Sequence, residues 1–270
     1  MCELFALSAS APVSIRYDLD RFAAEGGETQ PNRDGWGIVF GEGRDAHWFR
    51  EATAAANSPL DRFLREHERD HATVIAHVRN ASRGGAALEN THPFRRVLAG
   101  RVQHFAHNGT LEGIEDLPRI APCLAARIGQ TDSELAFLHL LARIAAAAPD
   151  PEDIAGRFRV FAGFCAGMAA LGPANFLWLD EVTLFVHADR RLTDIAPGRS
   201  ELREPGLFML EPAAPRTGRH HVIAGTHLRA LPDHVLLFAS VPLSAADWEP
   251  LARRTALAVR HGRLLCRATT

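Results

Sequence analysis

The sequence predicts an α+β fold of stacked sheets with helical layers, and three observations lead there. The segments with helical signals near residues 131–148 and 152–162 lie between two runs of short apolar strands, which argues against a doubly wound sheet. Hydrophobic residues make up 47% of the 270-residue chain, enough for a core several layers deep. No internal repeat, low-complexity tract or linker divides it.

Taken in order, residues 2–7 are a short apolar strand, and residues 16–24 have helical spacing that ends at the breaker pair Gly26-Gly27. A turn over residues 31–35 leads into a strand to Phe40. Gly41 to Gly43 then reverses the chain into a second strand around residues 47–50, making a β-hairpin. Ser58 caps and Pro59 begins a helix to about Arg69, because proline's fixed φ and missing N–H suit a first helical position. A strand over 73–78, a loop rich in Gly, Asn and Ser through Pro93, and a strand over 101–106 follow.

Thr131-Asp132-Ser133-Glu134 has the form of a capping box and opens an alanine-leucine helix to about Ala148, stopped by Pro149 and Pro151. A further helix is expected over 152–162. Short apolar strands then succeed one another at 164–171, 175–180, 183–187, 207–210, 221–224 and 235–240. A closing hairpin of 255–259 and 264–267 turns at His261-Gly262.

Composition narrows the chemistry. A net charge of −2 and a pI near 6.7 argue against nucleic acid or an anionic membrane as the main partner. No run approaches the ~20 apolar residues of a membrane span and no signal peptide precedes the first strand, so the expected location is the cytoplasm. Cys2, Cys123, Cys165 and Cys266 contain no CxxC pair, which suggests neither a disulfide framework nor a zinc ribbon. All 30 basic residues are arginine. Schiff-base chemistry and a lysine general base are thereby excluded, because arginine stays protonated.

Four constellations carry chemistry. A cysteine directly after Met1 is small enough for methionine removal to be expected, which would leave Cys2 with a thiol and a free α-amine. Such an amine titrates about two units below lysine, so the residue could supply its own base. Arg79, at the end of a strand, either forms an ion pair at the sheet rim or holds a carboxylate by two parallel hydrogen bonds. Asn108-Gly109 is either a type I′ hairpin turn or a pair of donors aimed at an oxyanion. Asp132, in the first turn of a helix, is favoured there by the helix dipole and is also a fixed anion for a substrate ammonium. His67-Glu68-Arg69-Asp70-His71 fits the zinc pattern H-E-x-x-H, but its charged flanks and the lack of a third ligand at recognisable spacing make it a surface turn, so no metal is expected.

Met1-Cys2-Glu3-Leu4, Asp34-Gly35-Trp36-Gly37, Arg79 with Ser82 and Gly84, Asn90-Thr91-His92-Pro93, His107-Asn108-Gly109 and Thr131-Asp132-Ser133-Glu134 together resemble the class II glutamine amidotransferases of the N-terminal nucleophile hydrolase superfamily. The likeness is greatest to a stand-alone, YafJ-like bacterial subgroup, and Ser240-Val241-Pro242-Leu243 with Trp248-Glu249-Pro250-Leu251 extends it toward the C-terminus. The resemblance implies a single domain over residues 1–270 and a four-layer α-β-β-α sandwich with two mainly antiparallel sheets.

It also implies roles: Cys2 as nucleophile, Asn108 and Gly109 as the oxyanion site, and Arg79, Ser82 and Asp132 around the substrate's glutamyl end. No cofactor is implied. The implied reaction converts glutamine to glutamate and ammonia, the ammonia passing to a separate synthase partner because this chain carries no such domain. Two alternatives stay open: a γ-glutamyl group on a sulfur-containing metabolite, as in stand-alone relatives, and, from another class, a binding module that keeps the pocket without turnover. Where amidotransferases that make amino sugars carry tryptophan and histidine, this chain has Asn80 and Arg83, so selectivity for glutamine stays open too.

Overall fold

Two antiparallel sheets lie face to face in a computed structural model that describes residues 2–17, 32–67, 70–148, 150–196, 199–212, 221–223, 226–228 and 232–270. In chain order the strands are β1 (Glu3–Tyr17), β2 (Trp36–Glu42), β3 (Asp45–Glu51), β4 (Asp70–Val78), β5 (Phe94–Leu98), β6 (Arg101–Asn108), β7 (Asn175–Asp180), β8 (Thr183–Ala188), β9 (Arg191–Ala196), β10 (Arg199–Arg203), β11 (Phe208–Leu210), β12 (His221–Ile223), β13 (Thr226–Leu228), β14 (Val235–Ala239), β15 (Glu249–Pro250), β16 (Thr255–Arg260) and β17 (Arg263–Thr269). The larger sheet runs β15-β11-β14-β1-β4-β2-β3, with β13 and then β12 added at the far end of β1. The other runs β17-β16-β8-β7-β6-β5. A separate hairpin pairs β9 with β10.

Alternation of side chains along each inner strand builds three cores. Leu4 and Ala6 of β1 face Leu177, Leu184 and Val186 of the second sheet, whereas Phe5 and Leu7 point outward to Leu60, Leu64 and Trp248. Leu60 and Leu64 belong to α1 (Pro59–Glu66), capped as expected by Ser58, whose hydroxyl accepts from the Asp61 N–H at 2.9 Å. Beyond the second sheet lie α2 (Ala121–Ala126), α3 (Asp132–Ala147) and α4 (Ile154–Ala169). Their Phe137, Phe161 and Phe164 pack on Phe105, Phe176 and Trp178. The layers are therefore α-β-β-α, and inner strands such as β7, β8 and β14 are buried along their whole length because both faces are covered.

Several local expectations give way. Residues 164–171 are not a strand; α4 continues to Ala169. Phe158, Phe161, Phe164, Cys165 and Met168 are all buried at three- and four-residue spacing, and a short apolar run does not reveal by itself which period it obeys. Arg16 and Tyr17 extend β1 by pairing with His227 and Thr226, and the remainder of the helix expected over 16–24 lies outside the described residues. The helix begun by Pro59 ends at Glu66, three residues before Arg69. His67 closes that helix while His71 sits in β4, its ring stacked on Phe40 at 4.3 Å, so the two histidines do not share a helical face. β5, α2 and the β9-β10 hairpin carry no signal that was readable beforehand. Among the described residues no helix is long and apolar enough to cross a membrane.

Because Phe164 is fully buried between α4 and Phe176, replacing it with alanine leaves a cavity in the helical layer. We expect Phe164→Ala to cost about 3–5 kcal/mol in denaturant unfolding; a loss under ~1 kcal/mol contradicts the helical placement of this segment.

Candidate active site

Register brings the first polar groups together. Glu3 pairs with Val78 across β1 and β4, so Cys2 lies beside Arg79 and Asn80, where β4 ends. The Asn80 N–H donates to Cys2 Sγ at 3.2 Å, and the thiol is 3.2 Å from the Asn80 carbonyl. Asn108, the last residue of β6 in the other sheet, sends its side-chain Nδ2 to the Cys2 carbonyl at 2.6 Å, with Ser240 Oγ at 3.4 Å. Ser240 itself is bound to β1 in both directions, through the Leu4 N–H and Leu4 carbonyl, each at 3.0 Å. The partly buried thiol is thus held where the ends of the two sheets meet.

Asn108-Gly109 is not a hairpin turn, since β6 pairs with β5 and β7 and Asn108 faces Asn175. Glycine is required for a different reason: a Cβ at position 109 would lie 1.8 Å from the Pro173 carbonyl oxygen. The Asp34-Gly35-Trp36-Gly37 turn has a similar logic, because a Cβ at Gly37 would meet the His92 carbonyl at 2.3 Å. That turn also pins the loop after β4, with Asp34 Oδ2 accepting from the Ala81 N–H at 2.7 Å and the Arg79 N–H reaching the Gly35 carbonyl at 2.8 Å.

The Arg79 side chain does not sit in an ion pair at the rim. Its Nη1 donates to the Gly85 carbonyl at 3.0 Å and the Asp34 carbonyl at 3.4 Å, and its Nη2 to the Arg83 and Gly84 carbonyls at 2.8 and 2.9 Å. The guanidinium thereby folds residues 80–85 around itself. Burial lowers its pKa from the ordinary arginine value, and the charges of Cys2, Asp34 and Asp132 pull the other way. Ser82 Oγ is 3.1 Å from Thr110 Oγ1, and Arg83 bonds Glu112 at 2.5 Å, so the same loop is stitched to the segment after Gly109.

Thr131 caps α3 by accepting the Glu134 N–H at 3.1 Å, but only half of the expected capping box forms. The Glu134 carboxylate accepts instead from the Ile128 and Gly129 N–H groups and pairs with Arg96. Asp132 Oδ2 accepts from the Leu111 N–H at 2.6 Å, which anchors the carboxylate in the pocket floor. A cavity of about 20 Å³ is lined by Cys2, Arg79, Ser82, Gly109 and Asp132. A second one of about 460 Å³ shares Cys2, Asn80, Ala81, Ser82 and Gly109 with it and adds Asn108. All six residues expected in the site converge, each lining at least one of the two cavities.

Burial pushes the Cys2 thiol above its ordinary value, only partly offset by the Asn80 N–H, so the thiolate is not preformed. Beneath the site lie buried imidazoles. His77 and His92 are 4.3 Å apart at their ring centroids, and His107 bonds Ser133 Oγ and the Pro173 carbonyl. Burial lowers all three; His77 falls to about 3, with the Arg79 charge adding to the effect. Arg191 escaped sequence reasoning. Its Nη2 pairs with buried Glu3 at 2.5 Å and its Nη1 donates to the Ser240 carbonyl at 2.7 Å. The one available signal was the acid next to Cys2, which needs a cation once buried.

The sequence pattern of the family "Glutamine amidotransferases class-II" matches residues 1–270. YafJ of Escherichia coli (strain K12), named as a candidate glutamine amidotransferase, is 38% identical over 183 residues, 67% of this chain and 70% of its own. A crystal structure from Pseudomonas aeruginosa PA01, described as a predicted glutamine amidotransferase, superposes with a TM-score of 0.70 at 29% identity, covering 98% of this chain and 100% of that one. Glutamine phosphoribosylpyrophosphate amidotransferase from B. subtilis shares the fold, with a TM-score of 0.63 at 14% identity over 99% of this chain and 49% of that one.

The histidines set the acid limit. His77 and His104 at about 3 and His187 at about 4 stay neutral when folded, whereas in the unfolded chain each protonates near pH 6.5. Their contribution is complete above about pH 6.5 and is lost as pH falls toward 3, each at up to about 1.4 kcal/mol per pH unit. Stability measured by denaturant should therefore drop steeply from pH 6.5 to 5, before most carboxylates titrate, and His77→Gln should make the slope shallower by about one proton; a flat profile over that range refutes the assignment.

Proposed function

The chain belongs to the class II glutamine amidotransferases, and from that premise we propose that it is an amidohydrolase whose Cys2 thiol attacks the side-chain amide of glutamine. The observation that carries this reading is the convergence on Cys2 of groups from both sheets: the Asn80 main chain, Asn108 Nδ2 and the Arg79 loop. A thiol raised by burial needs a base, and the hydrogen-bond partners of Sγ among the described residues are the Asn80 N–H and carbonyl. The α-amine exposed by loss of Met1 is the base, acting directly or through one water.

The thiolate adds to the amide carbon and a C–S bond forms. Negative charge gathers on the former carbonyl oxygen, where the Gly109 N–H and the second Asn108 Nδ2 hydrogen, now directed to Ser240 Oγ at 3.4 Å, are the donors. A donor of this kind contributes about 3 kcal/mol to acyl transfer. The α-ammonium returns its proton to the departing nitrogen, ammonia leaves, and water cleaves the γ-glutamyl thioester to glutamate.

Arg79 holds the α-carboxylate, exchanging the loop carbonyls it now binds for the substrate, and Asp132 receives the α-ammonium. Ser82 lies at the boundary between the two cavities. The ammonia passes to a separate partner in the cytoplasm.

Cys2→Ala should abolish glutamate release from glutamine while leaving the far-ultraviolet circular dichroism and the unfolding midpoint near wild type. A glutamine-analogue electrophile should capture wild-type protein once, at Cys2, with an adduct mass that corresponds to the chain without Met1. Failure of capture supports a binding module instead. Arg79→Lys should raise KM at least about tenfold with a smaller change in kcat, since an ammonium cannot reproduce the fork geometry; an unaltered KM rejects the carboxylate role.

A further inference from the structure

Cys2 is shared by two cavities of very different size and lining. The smaller, of about 20 Å³, holds the charged groups Arg79 and Asp132. The larger, of about 460 Å³, contains neither. Its wall includes Leu171, Pro173, Leu192 and Leu202, with Arg191 and Glu112 as its charged residues. Leu192 and Leu202 are directly opposite one another across β9 and β10, which puts both side chains on one face of that hairpin. They are 47% and 44% exposed, large apolar side chains left uncovered at the mouth of this cavity.

A substrate held at its glutamyl end by Arg79 and Asp132, with its amide carbon at Sγ, directs its amide nitrogen to the other side of Cys2. That side is the large cavity. Ammonia is about the size of water, on the order of 30 Å³, and neither fills such a space nor gains from leucine contacts. The volume lies in the range of small-molecule sites, roughly 300–1,000 Å³, and the apolar wall with a few polar groups is their usual lining.

We propose that this cavity is a leaving-group subsite, so that the substrate class is γ-glutamyl amides of bulky apolar amines, with glutamine its smallest member. The assignment rests on the amidohydrolase reading above. The balance is that of any amide: Cys2 sulfur forms a bond to the carbonyl carbon (Cδ) of the γ-carboxamide, the Cδ–N bond breaks, and the amine leaves with the proton taken from the thiol. Water then adds to the thioester, releasing glutamate and restoring the thiol.

The test compares L-glutamine, γ-glutamyl isobutylamide and γ-glutamyl phenethylamide on the full chain, reading glutamate release. Alkyl amines are poorer leaving groups than ammonia, so a preference for them reports binding and not intrinsic reactivity. We expect kcat/KM to rise from glutamine to phenethylamide by at least about tenfold. In Leu192→Asp/Leu202→Asp protein the phenethylamide-to-glutamine ratio should fall by a similar factor. Turnover of glutamine with the substituted amides slower than it, or a ratio indifferent to the double substitution, overturns the subsite and leaves the amidohydrolase standing. Glutamate release from none of the three, together with no capture of Cys2 by an electrophile, overturns both.

Discussion

The pairing of β1 with β4 is the constraint on which the site depends. β1 is buried on both faces, Leu4 and Ala6 in the core between the sheets and Phe5 and Leu7 in the core beneath α1. A slip of one residue would exchange these sets and put the wrong volumes into two cores at once. The register is therefore locked by packing over several residues, and its consequence at the strand end is that Glu3 faces Val78 and Cys2 meets the Asn80 main chain. The Cys2 thiol is positioned by the packing of apolar residues further along β1.

Polar groups at that junction are satisfied by strands from elsewhere in the chain. Glu3 is buried and paired with Arg191 from the β9-β10 hairpin, and Arg191 in turn binds the Ser240 carbonyl after β14. Asn108 reaches from the second sheet to the Cys2 carbonyl. Truncating one partner of a buried ion pair costs more than the pair contributes, because the other charge is stranded. This interdependence links the strand that carries Cys2 to the large cavity, since Arg191 is one half of the ion pair with Glu3 and also lines that cavity beside Leu192.

Arg79 organises the loop that follows β4. Four main-chain carbonyls gather around its guanidinium and shape the loop from Asn80 to Gly85. Arginine suits this task, because a planar fork of donors can bind several acceptors at once where an ammonium cannot. In the role proposed for Arg79, a carboxylate entering the pocket would compete with those carbonyls and so link binding to loop conformation.

Much was legible in the sequence alone. Chemical identity was: Cys2, Arg79, Asn108, Gly109 and Asp132 stand beside recognisable strand ends and a helix cap, and the strands over 175–180, 183–187 and 235–240 announce themselves as apolar runs. Layering was legible too, because helices grouped between strand runs leave few packed arrangements. Period was not legible in short all-apolar segments, which is why the end of α4 reads as a strand until Phe161 and Phe164 are seen against one helical face. Partners far apart in sequence were hidden as well. Nothing local distinguishes Arg191 from the other arginines, or Leu192 and Leu202 from ordinary strand leucines, since their roles arise only when the hairpin is laid beside Cys2. Local sequence determines which groups are available and where elements begin; long-range packing alone decides which of them meet, because contact between residues almost 190 positions apart is set by the register of buried strands and by no property of the residues themselves.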